Sequence, residues 1–230
     1  QLDPVTYRQQ AKGDWLVKPA AGLYFKRTWT KTIQPGQLPA DRVRWRSWDF
    51  AGTAKTEGKS DPDWTAGVLM SRDPHGTIYI EDVARERSTP GELDKLLKRP
   101  AKQDGPQVSI FLPQDPGQAG KGQVQARRRL LSAYTVRSRT MTGDKVQRFG
   151  PFSSDAENGD VRIVAGAWNE AFLSELEGFP TGSHDDQADA TSDGHTQLVT
   201  GGGSGGIQGF GASNRSTGGY LDDFEDDFDD

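Results

Sequence analysis

The sequence predicts a mixed α/β fold, with helices packed on a sheet that contains antiparallel and parallel strands. Three strand-like segments come first, over residues 43–50, 65–71 and 77–84, and the turn at 73–76 joins the last two as a hairpin. A short, continuous apolar run at 108–112 is typical of a buried strand. Helical and strand-like segments alternate after it, and a meander followed by such alternation indicates a mixed sheet.

The remaining elements are predicted from local patterns. Pro90 suits the first turn of a helix that continues over 91–97 and beyond, and the apolar residues of 169–177 recur at helical spacing. A last helix is expected to begin near Ser183 and to run towards Leu198. The other predicted segments are a helix at 123–131, a strand at 134–140 and a short β-branched strand at 161–164.

The 230 residues divide into three parts. Residues 1–40 are expected to form an irregular lead-in, because prolines break it, and its aromatic residues are expected to pack it on the domain. Residues 41–199 are predicted to form the folded domain, and residues 200–230 are predicted to be a flexible Gly-rich linker with an acidic tail. We expect this tail to be solvated; docking on a partner and covering of a basic DNA groove are the alternatives.

Charge is distributed unevenly along the chain. The net charge is −5, but residues 201–230 hold seven acids and one base, and the rest holds 27 bases and 26 acids. A near-neutral body with local basic clusters is compatible with nucleic acid. The absence of cysteine excludes disulfides and thiolate metal sites. Since no apolar run approaches the roughly 18 residues that span a bilayer, a soluble, intracellular protein is expected.

Carboxylates stand where several predicted elements end or begin. Asp49 ends the first strand between two aromatic residues, where an unpaired acid is costly, and Asp115 follows the buried strand. Ligands gather at the carboxyl ends of strands in open sheets, so both acids are expected at one crevice. Asp186 and Asp189 share one face of the last helix, and Asp185 precedes them. Each acid alone also fits a structural role, as an ion-pair partner, a turn residue or a helix cap.

The chemistry of this acidic set indicates a hard cation. Ligand sets made only of oxygen select Mg²⁺ or Mn²⁺. Two such ions about 4 Å apart can activate a water molecule and stabilise the leaving oxygen of a phosphodiester. Taken together, the acids therefore favour metal-dependent phosphodiester hydrolysis over separate structural roles.

Several segments resemble the nuclease domain of phage large terminases, over about residues 5–195. The closing stretch around the last helix is the most specific of them. The matching segments are Tyr7-Arg8-Gln9-Gln10 with Lys12-Gly13, Trp48-Asp49, Ser60-Asp61-Pro62-Asp63-Trp64-Thr65, Val161-Arg162-Ile163, Trp168-Asn169-Glu170-Ala171-Phe172, Glu175-Leu176-Glu177-Gly178-Phe179-Pro180 and His184-Asp185-Asp186-Gln187-Ala188-Asp189-Ala190.

This resemblance implies an RNase H-like fold, with an antiparallel three-strand meander plus parallel strands flanked by helices. It also implies a metal-dependent DNA endonuclease that cuts concatemeric viral DNA during genome packaging. Double-stranded DNA would be the substrate, the small terminase subunit and the portal would be partners of the full-length protein, and the host cell cytoplasm its location. The implied catalytic metal ligands, for two Mg²⁺ or Mn²⁺ ions, are Asp49, Asp115 and the pair Asp185 and Asp186, of which either or both bind directly, with Asp189 as a further candidate ligand.

Large terminases also carry an ATPase, whose phosphate-binding motif this sequence lacks. Gly52 and the Gly58-Lys59-Ser60 segment are separated by five residues where the motif needs four. Gly120-Lys121 is followed by glycine where the motif needs serine or threonine. No ATPase activity is therefore expected of this chain.

Basic residues close to the predicted acids are the candidates for DNA contact. Clustered bases hold phosphates and reduce repulsion of the polyanion, and weak sequence preference is expected. A solvated helix face is the alternative for the three consecutive arginines. His184 is a candidate metal or phosphate contact, with capping as its ordinary role. The DNA candidates are Arg127, Arg128 and Arg129 on the helix after Asp115, and Arg137, Arg139, Lys145 and Arg148 on the following strand and loop.

Two other functions stay open. One is another RNase H-like nuclease, of the resolvase or transposase type, which a panel of DNA substrates would distinguish. The other is a non-catalytic module that docks on the packaging motor, in which the acids are structural. Titration with metal ions would distinguish this second alternative.

Overall fold

A seven-stranded mixed sheet forms the centre of the part of the chain that this computed structural model describes, residues 22–51, 64–88 and 90–201. The strands lie in the order β1-β7-β4-β3-β2-β5-β6 across the sheet. In chain order they are β1 (Lys31–Ile33), β2 (Val43–Asp49), β3 (Thr65–Arg72), β4 (Ile78–Glu86), β5 (Ser109–Gln114), β6 (Val136–Thr140) and β7 (Val161–Val164).

The pairing confirms the predicted combination of an antiparallel meander with parallel strands. β2, β3 and β4 are antiparallel neighbours. β5 and β6 are added in parallel beyond β2, and β7 and β1 in parallel beyond β4. Because β2 and β5 run side by side in one direction, their carboxyl ends meet at one edge of the sheet. The start of β3 and the end of β4 lie at the same edge.

Five helices cover the two faces of this sheet within the described residues: α1 (Pro90–Asp104), α2 (Gln118–Leu130), α3 (Lys145–Glu157), α4 (Asn169–Gly178) and α5 (Asp186–Gly201). On one face, Leu97 of α1 and Leu131 directly after α2 pack with Trp48. On the other face, Phe149 of α3 and Phe172 of α4 belong to a larger core that also includes residues of α5. The sheet is therefore buried between two helical layers.

Strand β2 meets a different environment on each face. Trp45 and Asp49 face α5, whereas Arg46 points to the side of α1 and is 1% exposed. The Arg46 guanidinium lies 2.8 Å from the Asp82 carboxylate and also pairs with Asp104 at the end of α1. These acids compensate the buried charge of Arg46. The ion cluster anchors β2 from the face opposite to α5.

Helix α5 is buried along most of its length although its sequence is polar. It touches the sheet at Gly194, where an added Cβ would lie 2.7 Å from Met70 Sδ. The hydroxyls of Thr191 and Ser192 donate to backbone carbonyls one turn earlier, so these polar groups remain satisfied inside the protein. The glycine therefore lets the helix that begins with Asp186 approach the sheet closely.

Two details differ from the predicted elements, whereas helix α1 agrees with the helix predicted over 91–97 and beyond, and it continues through Pro100 to Asp104. The last helix begins at Asp186 rather than near Ser183. The short strand β1 is absent from the predicted elements, because its three residues carry no alternation that local pattern can recognise.

The largest difference between the predicted and the observed elements is helix α3. The prediction that Lys145 and Arg148 lie on a strand and loop is wrong, because both lie on this helix. Pro151 inside the helix weakens the local signal. The Asp144 side chain caps the first turn by accepting a hydrogen bond from Val146 N, and two buried phenylalanines pack the helix on the core. Tertiary packing outweighs local propensity here.

The described part of the lead-in packs on the domain. Phe25 is fully buried and stacks on Phe152, and Tyr24 and Trp29 pack against the same core. Among the residues that the structure covers, no helix is long and apolar enough to cross a membrane. The predictions for residues 1–21, the loop 52–63 and the tail 202–230 fall outside the described residues.

Candidate active site

An acidic cavity of about 300 Å³ opens at the edge of the sheet where β2 ends. Asp49 comes from the last position of β2, and Asp186 and Asp189 come from the first turn of α5. The cavity is lined by Asp49, Phe50, Lys145, Ser183, His184, Asp185, Asp186 and Asp189. Four of the five carboxylates named as candidate ligands thus surround one cavity.

Asp49 is partly buried and surrounded by other acids. Burial raises the pKa of Asp49 well above its usual range. The negative charges of Asp189, Asp186 and Asp193 raise this pKa further, and the positive charge of Lys145 lowers it. Ionisation of Asp49 is therefore unfavourable unless further positive charge enters the cavity.

Asp186 has a carboxylate oxygen without a hydrogen-bond partner. The residue is 6% exposed, and its Oδ2 is buried and unsatisfied, with His184 Nδ1 3.9 Å away. The carboxylate also accepts a hydrogen bond from the backbone N of Trp64. Burial, followed by repulsion from Glu175, raises the pKa of Asp186 to about 6. A buried oxygen of this kind is suited to a cation or a water molecule.

Two bases of α3 neutralise the other acids. Lys145 Nζ lies 2.7 Å from Asp185 Oδ2 and 3.0 Å from Asp189 Oδ2. Arg148 Nη2 lies 2.8 Å from Asp189 Oδ1, and Arg148 Nη1 lies 3.4 Å from Asp193 Oδ1. Burial opposes the charged form of Lys145, but hydrogen bonds to Asp185 and Asp189 outweigh it and raise the pKa of Lys145. Both bases stand among acids rather than on an open basic surface.

Asp193 continues the acidic row along α5 towards the core. It is 3% exposed. Burial raises the pKa of Asp193 to about 7, although the charge of Arg148 lowers it. Repulsion from Asp189 raises it and Arg139 lowers it. Carboxylates from the end of β2 to the middle of α5 are therefore difficult to ionise together.

Asp115 is the candidate ligand that does not line the cavity. It is exposed and directly follows β5, whose carboxyl end lies beside that of β2. Close packing holds the turn after it, because a Cβ on Gly120 would lie 2.2 Å from the Asp115 carbonyl oxygen. Asp115 is thus at the expected edge of the sheet but outside the cavity, and its role as a ligand stays a prediction.

The donors at the cavity match a hard divalent cation in their chemistry. The acidic donors are carboxylate oxygens, which Mg²⁺ and Mn²⁺ prefer, and Asp186 Oδ2 is free of hydrogen bonds. Over the described ranges, however, no three acidic or histidine side chains are arranged as a group that could hold a metal ion. Lys145 bridges Asp185 and Asp189 instead.

The arginines of α2 lie on the face of the sheet opposite to α5. Arg127 is partly buried, with its guanidinium 3.7 Å from the centre of the Phe50 ring. Arg128 donates to Ser138 Oγ at 2.9 Å, and Arg129 is exposed. The three consecutive side chains therefore do not form one continuous basic surface.

Arg137 and Arg139 lie on the same face as α5. Both are exposed on β6, which is an edge strand of the described sheet. Arg137 lies 5.2 Å from the centre of the Trp45 ring, and Arg139 is near enough to Asp193 to lower the pKa of that carboxyl. Of the arginines predicted to contact DNA, this pair and Arg148 of α3 lie on the face that carries Asp49.

Comparison with known proteins assigns the family. Residues 46–198 match the family model of the terminase RNaseH-like domain. The chain belongs to this family. No curated protein matches the sequence.

Solved structures share the fold of this terminase domain. The large terminase nuclease of thermophilic phage G20c with bound magnesium has a TM-score of 0.54 at 12% identity, covering 79% of this chain and 98% of that one. The same phage's nuclease with bound zinc has a TM-score of 0.52 at 15% identity, covering 74% and 95%. The large terminase nuclease domain of Thermus phage P74-26 has a TM-score of 0.52 at 13% identity, covering 83% and 100%. The predicted RNase H-like fold is confirmed.

A group of four side chains, Trp64, Arg85, Arg87 and Glu175, is absent from the predicted site residues of this terminase domain. The guanidiniums of Arg85 and Arg87 lie 4.4 and 4.2 Å from the centre of the Trp64 ring. Arg85 Nη2 lies 2.9 Å from Glu175 Oε2. Glu175 stands in a segment that carries the family resemblance, but no local pattern reveals which element its side chain reaches.

Proposed function

We propose that this terminase domain is a metal-dependent DNA endonuclease that cuts concatemeric viral DNA during genome packaging. The observation that carries the proposal is the cavity in which Asp49, Asp185, Asp186 and Asp189 meet. Burial and repulsion from neighbouring acids raise the pKa values of Asp49 and Asp186 there, so the site is suited to divalent cations. The solved phage G20c terminase nuclease with bound magnesium supports this choice.

The carboxylates would act as cation ligands from rigid elements. When bound, two Mg²⁺ or Mn²⁺ ions would supply an activated water and neutralise the leaving oxygen of the phosphodiester. Asp49 at the end of β2 and Asp186 at the start of α5 would be the principal ligands. Asp185 and Asp189 would complete the set, and Asp115 would approach from the end of the neighbouring strand.

Lys145 is proposed to pair with the acids before cations bind and to contact the DNA substrate afterwards. Its side chain is 49% exposed although it pairs with Asp185 and Asp189. An exposed ion pair is weak, so Lys145 can exchange these acids for a DNA phosphate once cations balance their charge. Arg148, whose side chain is 20% exposed, would stay with Asp189 and Asp193.

Double-stranded DNA is the proposed substrate, and Arg137 and Arg139 are proposed to hold its backbone beside the cavity. The small terminase subunit and the portal are proposed partners of the full-length protein, which would act in the host cell cytoplasm. Family membership favours a packaging role over that of a resolvase or transposase.

Purified protein is expected to nick and then linearise supercoiled plasmid when Mn²⁺ or Mg²⁺ is added, and EDTA is expected to stop the reaction. The physical reason is that the crowded carboxylates require added positive charge before they can act together. Agarose gels over a range of metal concentrations provide the measurement. Calorimetry with Mn²⁺ and no DNA gives an independent readout of cation binding.

The same assays separate the alternatives. Cleavage restricted to four-way junctions would favour a resolvase-type nuclease. A folded protein that neither binds Mn²⁺ nor cuts any DNA would contradict the proposal and favour a docking module.

DNA binding is expected to weaken steeply with salt, and Arg137 and Arg139 are expected to contribute to this dependence. Each phosphate contact contributes about −0.9 to the slope of log K against log salt. Changing both arginines to glutamine should therefore reduce the magnitude of the slope by about 2. Fluorescence anisotropy with a labelled duplex at several salt concentrations measures it, in Ca²⁺ or EDTA so that the DNA stays intact.

The matched variant changes Arg128 and Arg129 to glutamine on the opposite face of the sheet. If DNA lies across the cavity face alone, this pair leaves the slope as it is. An unchanged slope in the variant of Arg137 and Arg139 would mean that DNA takes another path.

A further inference from the structure

Glu175 joins three elements around the cavity while being buried itself. Its side chain is 5% exposed. Oε1 accepts a hydrogen bond from Gln187 N at 2.6 Å, and Oε2 accepts one from Gln187 Nε2 at 2.5 Å. Arg85 Nη2 lies 2.9 Å from Oε2. One carboxylate of α4 is thus bonded both to the first turn of α5 and to the end of β4.

The N-terminus of α5 receives this hydrogen bond from another helix. The first N–H groups of a helix lack partners within it and are commonly bonded by a side chain just before the helix. At Gln187 the acceptor comes from α4 instead. Since Gln187 directly follows Asp186, the bond fixes the backbone beside the carboxylate that enters the cavity.

On the sheet, Arg85 shares a cross-strand row with Asp49. Ala66 is paired with Asp49 of β2 on one side and with Arg85 of β4 on the other. Residues in such a row point to the same face. Glu175 bonds to Gln187 of α5 and to Arg85 of β4. It therefore links the first turn of α5 to the cross-strand row that contains Asp49.

Trp64 adds a second link to the same carboxylate. Its ring packs against the Arg85 guanidinium, and its backbone N donates to Asp186. Arg85 thus contacts both Glu175 and the residue that bonds Asp186. Asp186 is thus held directly by the backbone N of Trp64 and indirectly by the bond from Gln187 to Glu175. Its Oδ2 has no hydrogen bond.

We propose that Glu175 is a positioning residue of the nuclease site, which sets Asp186 relative to Asp49 by tying α5 to the sheet through Gln187 and Arg85. The inference rests on the proposed function, because it assigns Glu175 a role towards the same cations. Glu175 acts through its neighbours and not as a ligand: both of its oxygens are engaged, and its side chain does not line the cavity.

Loss of this carboxylate weakens cation binding without altering the DNA surface. Groups that orient metal ligands from outside typically contribute 10–100-fold to metal affinity or activity. We therefore expect Glu175→Ala to raise the dissociation constant for Mn²⁺ by about 10–100-fold and to lower kcat to a similar extent. The KM for DNA stays near the wild-type value, since Glu175 lies away from Arg137 and Arg139.

The experiment compares Glu175→Ala and Glu175→Gln with Glu177→Gln, in the same helix. Glu177 is the matched control, because it is ion-paired with Arg27 on the surface side of α4 and lies outside the cavity. Mn²⁺ affinity is measured by calorimetry without DNA, the melting temperature in EDTA, and kcat and KM with plasmid. Glu175→Gln keeps an acceptor for Gln187 but loses the charge that pairs with Arg85, so it should fall between Glu175→Ala and wild type.

Each outcome decides the inference. Weakened Mn²⁺ binding and reduced kcat in both Glu175 variants, with Glu177→Gln like wild type, support it. Wild-type Mn²⁺ affinity in a folded Glu175→Gln or Glu175→Ala variant overturns it, as does an equal loss in Glu177→Gln. If Glu175→Ala fails to fold, Glu175→Gln alone decides. A wild-type protein that binds no Mn²⁺ would instead overturn the proposed function itself.

Discussion

Replacing Asp49 with asparagine is expected to abolish DNA cleavage and, in EDTA, to make the protein more stable at neutral pH. A carboxylate that holds a catalytic cation contributes several kcal/mol to the transition state, so a loss of at least about 1,000-fold, or about 4 kcal/mol, is expected. Stability rises because burial and the charges of Asp189 and Asp186 raise the pKa of Asp49. Its ionisation at neutral pH therefore opposes folding, and asparagine removes this cost.

Cleavage rate and melting temperature, measured on the same preparation, test both halves of this expectation. Glu157→Gln, an exposed carboxylate at the far end of α3, is the control and should match wild type in both. Asp115→Asn answers a separate question, since Asp115 lies outside the cavity: a loss comparable to that of Asp49→Asn would place it among the ligands. Cleavage at the wild-type rate in Asp49→Asn would remove Asp49 from the mechanism.

Stability in EDTA is expected to fall as the pH rises from 5 to 7.5. In the folded protein the pKa of Asp186 is raised to about 6 and that of Asp193 to about 7, whereas an unfolded aspartate titrates near 3.9. The folded state then holds protons that the unfolded state has lost, so the free energy of unfolding decreases with pH until the folded pKa values are passed. With a slope of about 1.4 kcal/mol per pH unit and proton, the two groups together lose about 4 kcal/mol over this range.

Urea unfolding at several pH values measures this dependence directly. Asp193→Asn should flatten the curve and raise stability at pH 7.5, while having little effect at pH 4. Ion pairs lower the pKa values of other acids, such as Glu81 and Glu177. These acids change stability mainly below pH 5, so they do not alter the expected fall in stability between pH 5 and 7.5. Stability that stays constant or rises between pH 5 and 7.5 would show that these carboxylates are ionised without cost.

Apart from the short strand β1, the strands of the sheet can be predicted from the sequence because their signals are local. Alternation and aromatic residues predict β2, the Asp-Pro-His-Gly turn at 73–76 predicts the hairpin of β3 and β4, and a short apolar run predicts β5. These elements place Asp49 and Asp115 at strand ends. The same logic places Asp186 at the start of a helix, since acids are favoured there.

The rest of the site depends on contacts between residues distant in sequence. Helix α3 contains Pro151, and its stability comes from two buried phenylalanines rather than from propensity. Lys145 and Arg148 therefore looked like free bases in a loop, although they neutralise acids of α5. Glu175 reaches α5 through tertiary packing, which no spacing along the chain records. A periodicity search that tolerated proline would have found α3, because its phenylalanines are one turn apart.

The buried Arg46 cluster protects the strand that carries Asp49 from pairing in the wrong register. A slip of β2 by one residue would turn each of its side chains to the other face of the sheet. Arg46 would then enter the aromatic core beneath α5, away from Asp82 and Asp104, and Asp49 would enter the cluster of Leu97 and Leu131. Both charges would be buried without partners, which costs several kcal/mol for each. Misregistered forms of the sheet are therefore disfavoured during folding. Asp49 is held on the face of the sheet that α5 covers, where the other acids of the cavity lie.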